Sequence, residues 1–207
     1  MVAEVRRKAV DDAEIADGRV LWIGDGAGRG LAVLAANGWR LAAAGPPAAD
    51  RWFLPVVATR RGVTVRLLAA WVMPAYDYVS PTRRALAELD WFLSAGPCLF
   101  VGDMNYNICF DKPRSRERFR DIVERLTACG LASAWHTVTG EAHGGESRGT
   151  LFFLWKEARP FHIDYVFAPV GWARAATVGS YADWVAARLS DHVPVIVDLA
   201  VPRDQGA

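Results

Sequence analysis

Apolar and polar positions divide the chain into many short β-type runs and two helical stretches. Residues 20–23 and 31–35 are short apolar runs on either side of Gly24-Asp25-Gly26-Ala27-Gly28, and they predict two strands around a turn. Residues 52–59 and 63–72 are rich in β-branched and aromatic side chains and predict a hairpin that reverses at Arg60-Arg61-Gly62. Over residues 81–94, Leu86, Leu89, Phe92 and Leu93 recur at helical spacing, with Pro81 in the first turn and Gly96-Pro97 as the stop. The continuously apolar 98–101 predicts a strand covered on both faces. Phe119, Ile122, Val123 and Leu126 predict a second helix ending near Cys129-Gly130, and residues 151–155, 163–167 and 193–199 read as further strands. Strands that outnumber helices, without a regular β-α-β alternation, predict an α+β fold.

Composition narrows the picture. A chain of 207 residues, 52% hydrophobic, suits one domain over 1–207, with 1–19 and 201–207 expected at its periphery. The formal net charge of +1 lacks the basic excess of a dedicated duplex-DNA binder. The most basic stretch, 112–125, interleaves its cations with Glu117, Asp121 and Glu124 and reads as a solvated helix face. Cys98, Cys109 and Cys129 show no paired spacing, which predicts small apolar side chains in a reduced, cytoplasmic compartment. The N-terminal stretch lacks an apolar signal core, and no apolar run approaches the roughly 18 residues that span a membrane.

Candidate chemistry sits at strand ends, in Gly102-Asp103-Met104-Asn105, His162-Ile163-Asp164-Tyr165 and Ser190-Asp191-His192. Carboxylate and amide oxygens are donors that a hard divalent cation prefers, and an imidazole titrates near neutrality. His136 and His143 flank a loop containing Gly and Glu and read as solvated residues. The glycine-rich 24–30 lacks the Lys-Ser/Thr of a phosphate loop and reads as an ordinary loop.

Taken in order and spacing, Gly-Asp-Met-Asn at 102–105, His-Ile-Asp-Tyr at 162–165 and Ser-Asp-His-Val-Pro-Val at 190–195 resemble the C-terminal motifs of the endonuclease/exonuclease/phosphatase superfamily. The resemblance spans about residues 20–199. It is strongest to small bacterial members with a similar stretch around Ser133-Ala134-Trp135-His136 and from Thr150 to Pro169. It implies a four-layer α/β/β/α sandwich of two mostly antiparallel sheets with outer helices, and hydrolysis of a phosphoester in a small molecule or a nucleic acid. It also implies Mg²⁺ or Mn²⁺, held by Asp191 with Asp103. By position, Asp103 orients or deprotonates the attacking water, and Asn105 holds the phosphoryl group. Asp164 fixes the tautomer of His192, which contacts the scissile phosphate. Trp71, Tyr76 and His162 are the candidate substrate contacts.

Three departures from the family pattern qualify this reading. The early Trp-Asn-hydrophobe motif and the later Gln-Glu pair, whose Glu is the principal metal ligand, have no counterpart; residues 6–12 read Arg-Arg-Lys-Ala-Val-Asp-Asp. Trp71 stands where many relatives carry a His or Tyr at a strand end. The expectation is therefore an N-terminally shortened fold whose open sheet edge favours a homodimer. Two alternatives stand beside the hydrolase: a non-catalytic scaffold, and a metal-free enzyme recruited to other chemistry through Asp164 and His192.

Overall fold

Residues 2–25, 28–50, 52–73 and 77–202 are described by the computed structural model, a mixed α+β structure with several sheets. Contacts divide the chain into one unit of Met1–Asp103 with Val201–Ala207 and another of Met104–Ala200.

The first unit holds β1 (Val2–Arg6), α1 (Asp12–Ala16), β2 (Val20–Gly24), β3 (Arg29–Leu34), β4 (Arg40–Ala43), β5 (Phe53–Arg60), β6 (Val63–Trp71), α2 (Val79–Glu88), α3 (Asp90–Ser94) and β7 (Cys98–Asp103). The apolar runs around the 24–28 turn pair antiparallel, Val20 opposite Leu34 and Gly24 opposite Gly30. β1, from the stretch expected at the periphery, forms the far edge of this three-stranded sheet against β3. The 60–62 hairpin pairs β5 and β6 without interruption from Phe53–Ala70 to Arg60–Val63, and β4 adds to the outer edge of β5.

β7 lies parallel to β6, so the chain must cross over, and α2 and α3 supply the crossover. The single predicted helix breaks at Leu89 (φ −96°, ψ 17°). The break lets Leu86 and Leu89 on one side, and Phe92 and Leu93 on the other, all reach the interior. Asp77 starts α2 by accepting the backbone N–H groups of Val79 (2.8 Å) and Ser80 (2.6 Å). Gly102 is required where β7 passes β6: a Cβ there would lie 1.8 Å from the Ala70 carbonyl oxygen.

The second unit holds α4 (Phe119–Ala128), β8 (Leu131–Ser133), α5 (Ala134–Thr139), β9 (Leu151–Phe152), β10 (Pro160–Phe161), β11 (Asp164–Pro169), β12 (Ala173–Val178) and β13 (Val195–Leu199), with a π-helical turn at Ala182–Ala186. Its strands form antiparallel pairs: β8 with β11, β9 with β10, and β12 with β13. α4 buries Phe119, Ile122 and Leu126, and the Asp111 carboxylate accepts its first N–H groups from Phe119 (2.7 Å) and Arg120 (3.0 Å). The strand expected over 151–155 ends at Phe152. Leu154 and Trp155 adopt left-handed backbone (φ 57° and 61°), and Phe153 N–H closes the turn on the Arg159 carbonyl at 3.0 Å.

Among the described residues, no helix is long and apolar enough to cross a membrane.

Candidate functional site

In the first unit, Asp103 is the last residue of β7. It is 2% exposed, and its carbonyl accepts the Val72 N–H at 2.8 Å. Trp71 ends β6 and pairs with Asp103 in the parallel register. Its indole is buried against Trp52, with ring centroids 5.4 Å apart, and Nε1 has no hydrogen-bond partner among the described residues. Tyr76 lies outside the described residues.

In the second unit, three backbone segments converge on Thr150, which is fully buried. Its hydroxyl oxygen accepts the N–H groups of Ile163 and Asp164, each at 3.0 Å. Its carbonyl accepts the Val193 N–H at 2.8 Å, and its own N–H donates to Phe161 at 2.8 Å. Phe152 N–H extends the pairing to the Asp191 carbonyl at 2.8 Å, and Leu151 forms a bridge with His192. One residue thus sets the backbone of the 162–165 motif against that of the 190–195 motif.

The side chains meet as a result. His192 Nδ1 lies 3.0 Å from Asp164 Oδ2, with 29% and 22% of the two side chains exposed. The Ser190 hydroxyl accepts the His192 N–H at 3.0 Å and holds the turn before it. A carboxylate on Nδ1 places an imidazole proton there and fixes the orientation of the ring. Asp191 adds a half-buried carboxylate beside this dyad in sequence, and nothing among the described residues donates a hydrogen bond to it. Asn105 sits in the left-handed region (φ 50°) just after Met104, whose N–H donates to the Ile163 carbonyl at 2.8 Å. That bond ties the residue following Asp103 to the residue preceding Asp164. The oxygen donors Asp103, Asn105 and Asp191 are the types that suit Mg²⁺ or Mn²⁺.

His162 is 4% exposed. Its Nδ1 lies 2.9 Å from the Arg148 carbonyl, and its Nε2 has no partner among the described residues. Burial pushes its pKa below the usual histidine value.

His136 and His143 are not solvated. Their rings stack at 3.6 Å with an interplanar angle of 18°. His136 Nε2 lies 3.1 Å from Glu146 Oε1 and its Nδ1 2.7 Å from the Ser133 hydroxyl. Glu146 also accepts the Asn107 amide and the Gly144 N–H, each at 3.0 Å. Asn107, 1% exposed, donates further to the His162 carbonyl (2.8 Å) and the Tyr165 hydroxyl (2.9 Å). Burial tends to raise the Glu146 pKa, but these hydrogen bonds, that of His136 first, outweigh it and hold the group down at about 2. Burial, aided by His136, lowers His143 to about 4. Thr150, Asn107 and Glu146 escape a reading of the sequence alone, because each acts through residues far along the chain; the polar run around Gly144–Glu146 is the one local signal.

No family model matches the sequence, and a search of curated proteins finds no match. Solved structures do match. The 3′ phosphatase NExo from Neisseria, bound to a product DNA hairpin, is 16% identical with a TM-score of 0.65; the match covers 95% of this chain and 85% of that one. Truncated TDP2 from Caenorhabditis elegans is 13% identical with a TM-score of 0.62, over 93% and 80% of the two chains. An endonuclease/exonuclease/phosphatase protein from Beutenbergia cavernae is 18% identical with a TM-score of 0.57, over 91% of this chain and 55% of that one. Identities this low mark a shared fold.

Proposed function

Because the chain has the fold of the endonuclease/exonuclease/phosphatase proteins, we propose that it is a metal-dependent phosphoester hydrolase built around Asp164 and His192. The observation that carries the reading is the 3.0 Å contact between His192 Nδ1 and Asp164 Oδ2 at a partly exposed position. An imidazole oriented by a carboxylate is suited to contact a phosphoryl oxygen and to stabilise charge that develops there.

In this reading Asp103 orients the attacking water and accepts its proton as the water oxygen bonds to phosphorus. Asn105 donates its amide to a phosphoryl oxygen. His192 would act doubly protonated, donating Nδ1–H to Asp164 and Nε2–H to the same phosphoryl group, and as the bond from phosphorus to the leaving oxygen breaks that oxygen takes a proton from solvent. Asp191 and Asp103 would hold Mg²⁺ or Mn²⁺, which when bound polarises the phosphoryl oxygen. Trp71 and His162 are buried, so both act here through packing and positioning. Substrates are phosphodiesters or phosphomonoesters, small molecules or nucleic acid ends, and the balanced charge favours a short or single-stranded substrate.

The test is hydrolysis of bis(p-nitrophenyl) phosphate and of a 3′-phosphorylated oligonucleotide with Mg²⁺ or Mn²⁺, comparing wild type with His192→Ala. Turnover lost with chelator and with His192→Ala supports the reading. Equal rates for both folded proteins would overturn it, whereas turnover that survives chelator but fails in His192→Ala would mark a metal-free enzyme.

A further inference from the structure

The cluster between α5 and the loop that follows it lies outside the proposed chemistry. It contains two imidazoles and a carboxylate, His136, His143 and Glu146, whose ligand-capable atoms all lie within 4.8 Å of one another. We propose that these three side chains form a binding site for a late first-row divalent cation of the zinc class, separate from the oxygen donors assigned to Mg²⁺ or Mn²⁺.

Three observations carry the inference. First, the donor set is selective. Two imidazoles and one carboxylate suit Zn²⁺ better than a hard cation, and three protein ligands leave a further position for water. Second, the group is enclosed: the His136 and Glu146 side chains are 8% and 5% exposed. Third, the cluster holds polar atoms with nothing to bond. His143 Nδ1 is buried without a partner among the described residues, as is Nε2 of the neighbouring His162, whose ring lies 5.8 Å from that of His136. Buried polar atoms rarely stay unpaired, and each specific case calls for an explanation. A cation that takes an imidazole lone pair provides one at His143.

The supporting structure around these ligands is also in place. Asn107 and the Gly144 N–H fix the Glu146 carboxylate, and Ser133 fixes Nδ1 of His136. Such partners orient metal ligands and fix the imidazole tautomer. Donors about 3.3 Å apart surround a tetrahedral zinc with bonds near 2.0–2.1 Å. The cation would take the place of the hydrogen bond between His136 and Glu146, with His143 supplying the third donor. Its structural effect is to clamp residues 140–146 to α5.

The experiment is a Co²⁺ titration of the whole chain in the presence of excess Mg²⁺, followed by visible absorption and repeated with Zn²⁺ by calorimetry. The expected result is one equivalent bound with ligand-field bands, weakened at least tenfold in His143→Gln and unchanged in Asp191→Ala. In parallel, long-range ¹H–¹⁵N spectra of the wild-type imidazoles should shift at His136 and His143 on adding Zn²⁺, a readout that needs no variant to fold. Binding that His143→Gln leaves intact, binding lost in Asp191→Ala, or imidazole resonances that stay put would each overturn the proposal. Because the proposal does not depend on turnover, failure of the hydrolase reading leaves it standing, and its own failure leaves the hydrolase untouched.

Discussion

The second unit contains two carboxylate–imidazole pairs of nearly equal length and very different setting. Asp164 and His192 meet at 3.0 Å with about a quarter of each side chain in solvent, whereas Glu146 and His136 meet at 3.1 Å with less than a tenth. Distance therefore does not separate them, but surroundings do. The first pair is held by backbone contacts through Thr150 and Ser190. The second is bonded from every side, by Ser133, Asn107 and Gly144, and its carboxylate is locked in the ionised state. The first pair is partly open to solvent, whereas donors enclose the second. On the proposed function, the same two residue types serve chemistry in one pair and structure in the other.

The sharpest way to break the contrast is to remove the imidazole from each pair. His192→Ala is expected to lower phosphodiester turnover by about a thousandfold while leaving unfolding unchanged, since it loses charge stabilisation worth about 3–4 kcal/mol. Steady-state rates and urea midpoints measured on the same preparation check both halves. Glu146→Ala should do the reverse. It leaves His136 and Asn107 without their buried partner and is expected to cost about 3 kcal/mol of stability in urea unfolding. Comparable losses of activity and stability in both variants would remove the distinction.

Thr150→Val separates positioning from packing. It keeps the shape of the side chain but strips the acceptor shared by the Ile163 and Asp164 amides, at a cost of about 2 kcal/mol. Turnover should fall about tenfold with KM little changed, because Asp164 loses its backbone anchor, and Thr150→Ser should restore both. A Val variant with wild-type kcat would show that Asp164 is held by other means.

The smallest effect is on pH dependence. His143 is depressed from 6.5 to about 4, so its neutral state stabilises the fold above pH 6.5, and that contribution is lost as pH falls through 6.5 towards 4. Glu146, depressed to about 2, adds a second loss below pH 4.5. Stability measured from pH 7 to 3 should fall in two stages, and His143→Gln should flatten only the upper one.

Much of this structure is written in local pattern. The β5–β6 hairpin is legible because eight paired positions of β-branched and apolar residues flank a turn with Gly62, and the 98–103 strand because it is apolar on both faces. Asp103 at the end of β7 and Asp164 at the start of β11 are legible for a related reason: a polar residue bordering an apolar run stands out. β8, with three residues, is too short to show alternation. β4 and β12 are built largely of Ala and Arg, which carry little strand preference, and α5 contains the β-branched run Thr-Val-Thr, which disguises a helix. The His136–Glu146 pair cannot be read from spacing, since its ten-residue separation closes only when Asn107 and Tyr165 arrive from elsewhere.

Thr150 also has a kinetic consequence. Three amides, those of Ile163, Asp164 and Val193, find their acceptors on this one residue, although Val193 lies some thirty positions from the other two. None can exchange its proton with solvent by a private fluctuation that leaves Thr150 in place and still frees the rest. They should therefore exchange as a group, with one opening free energy, so that the segments bearing Asp164 and His192 come apart together.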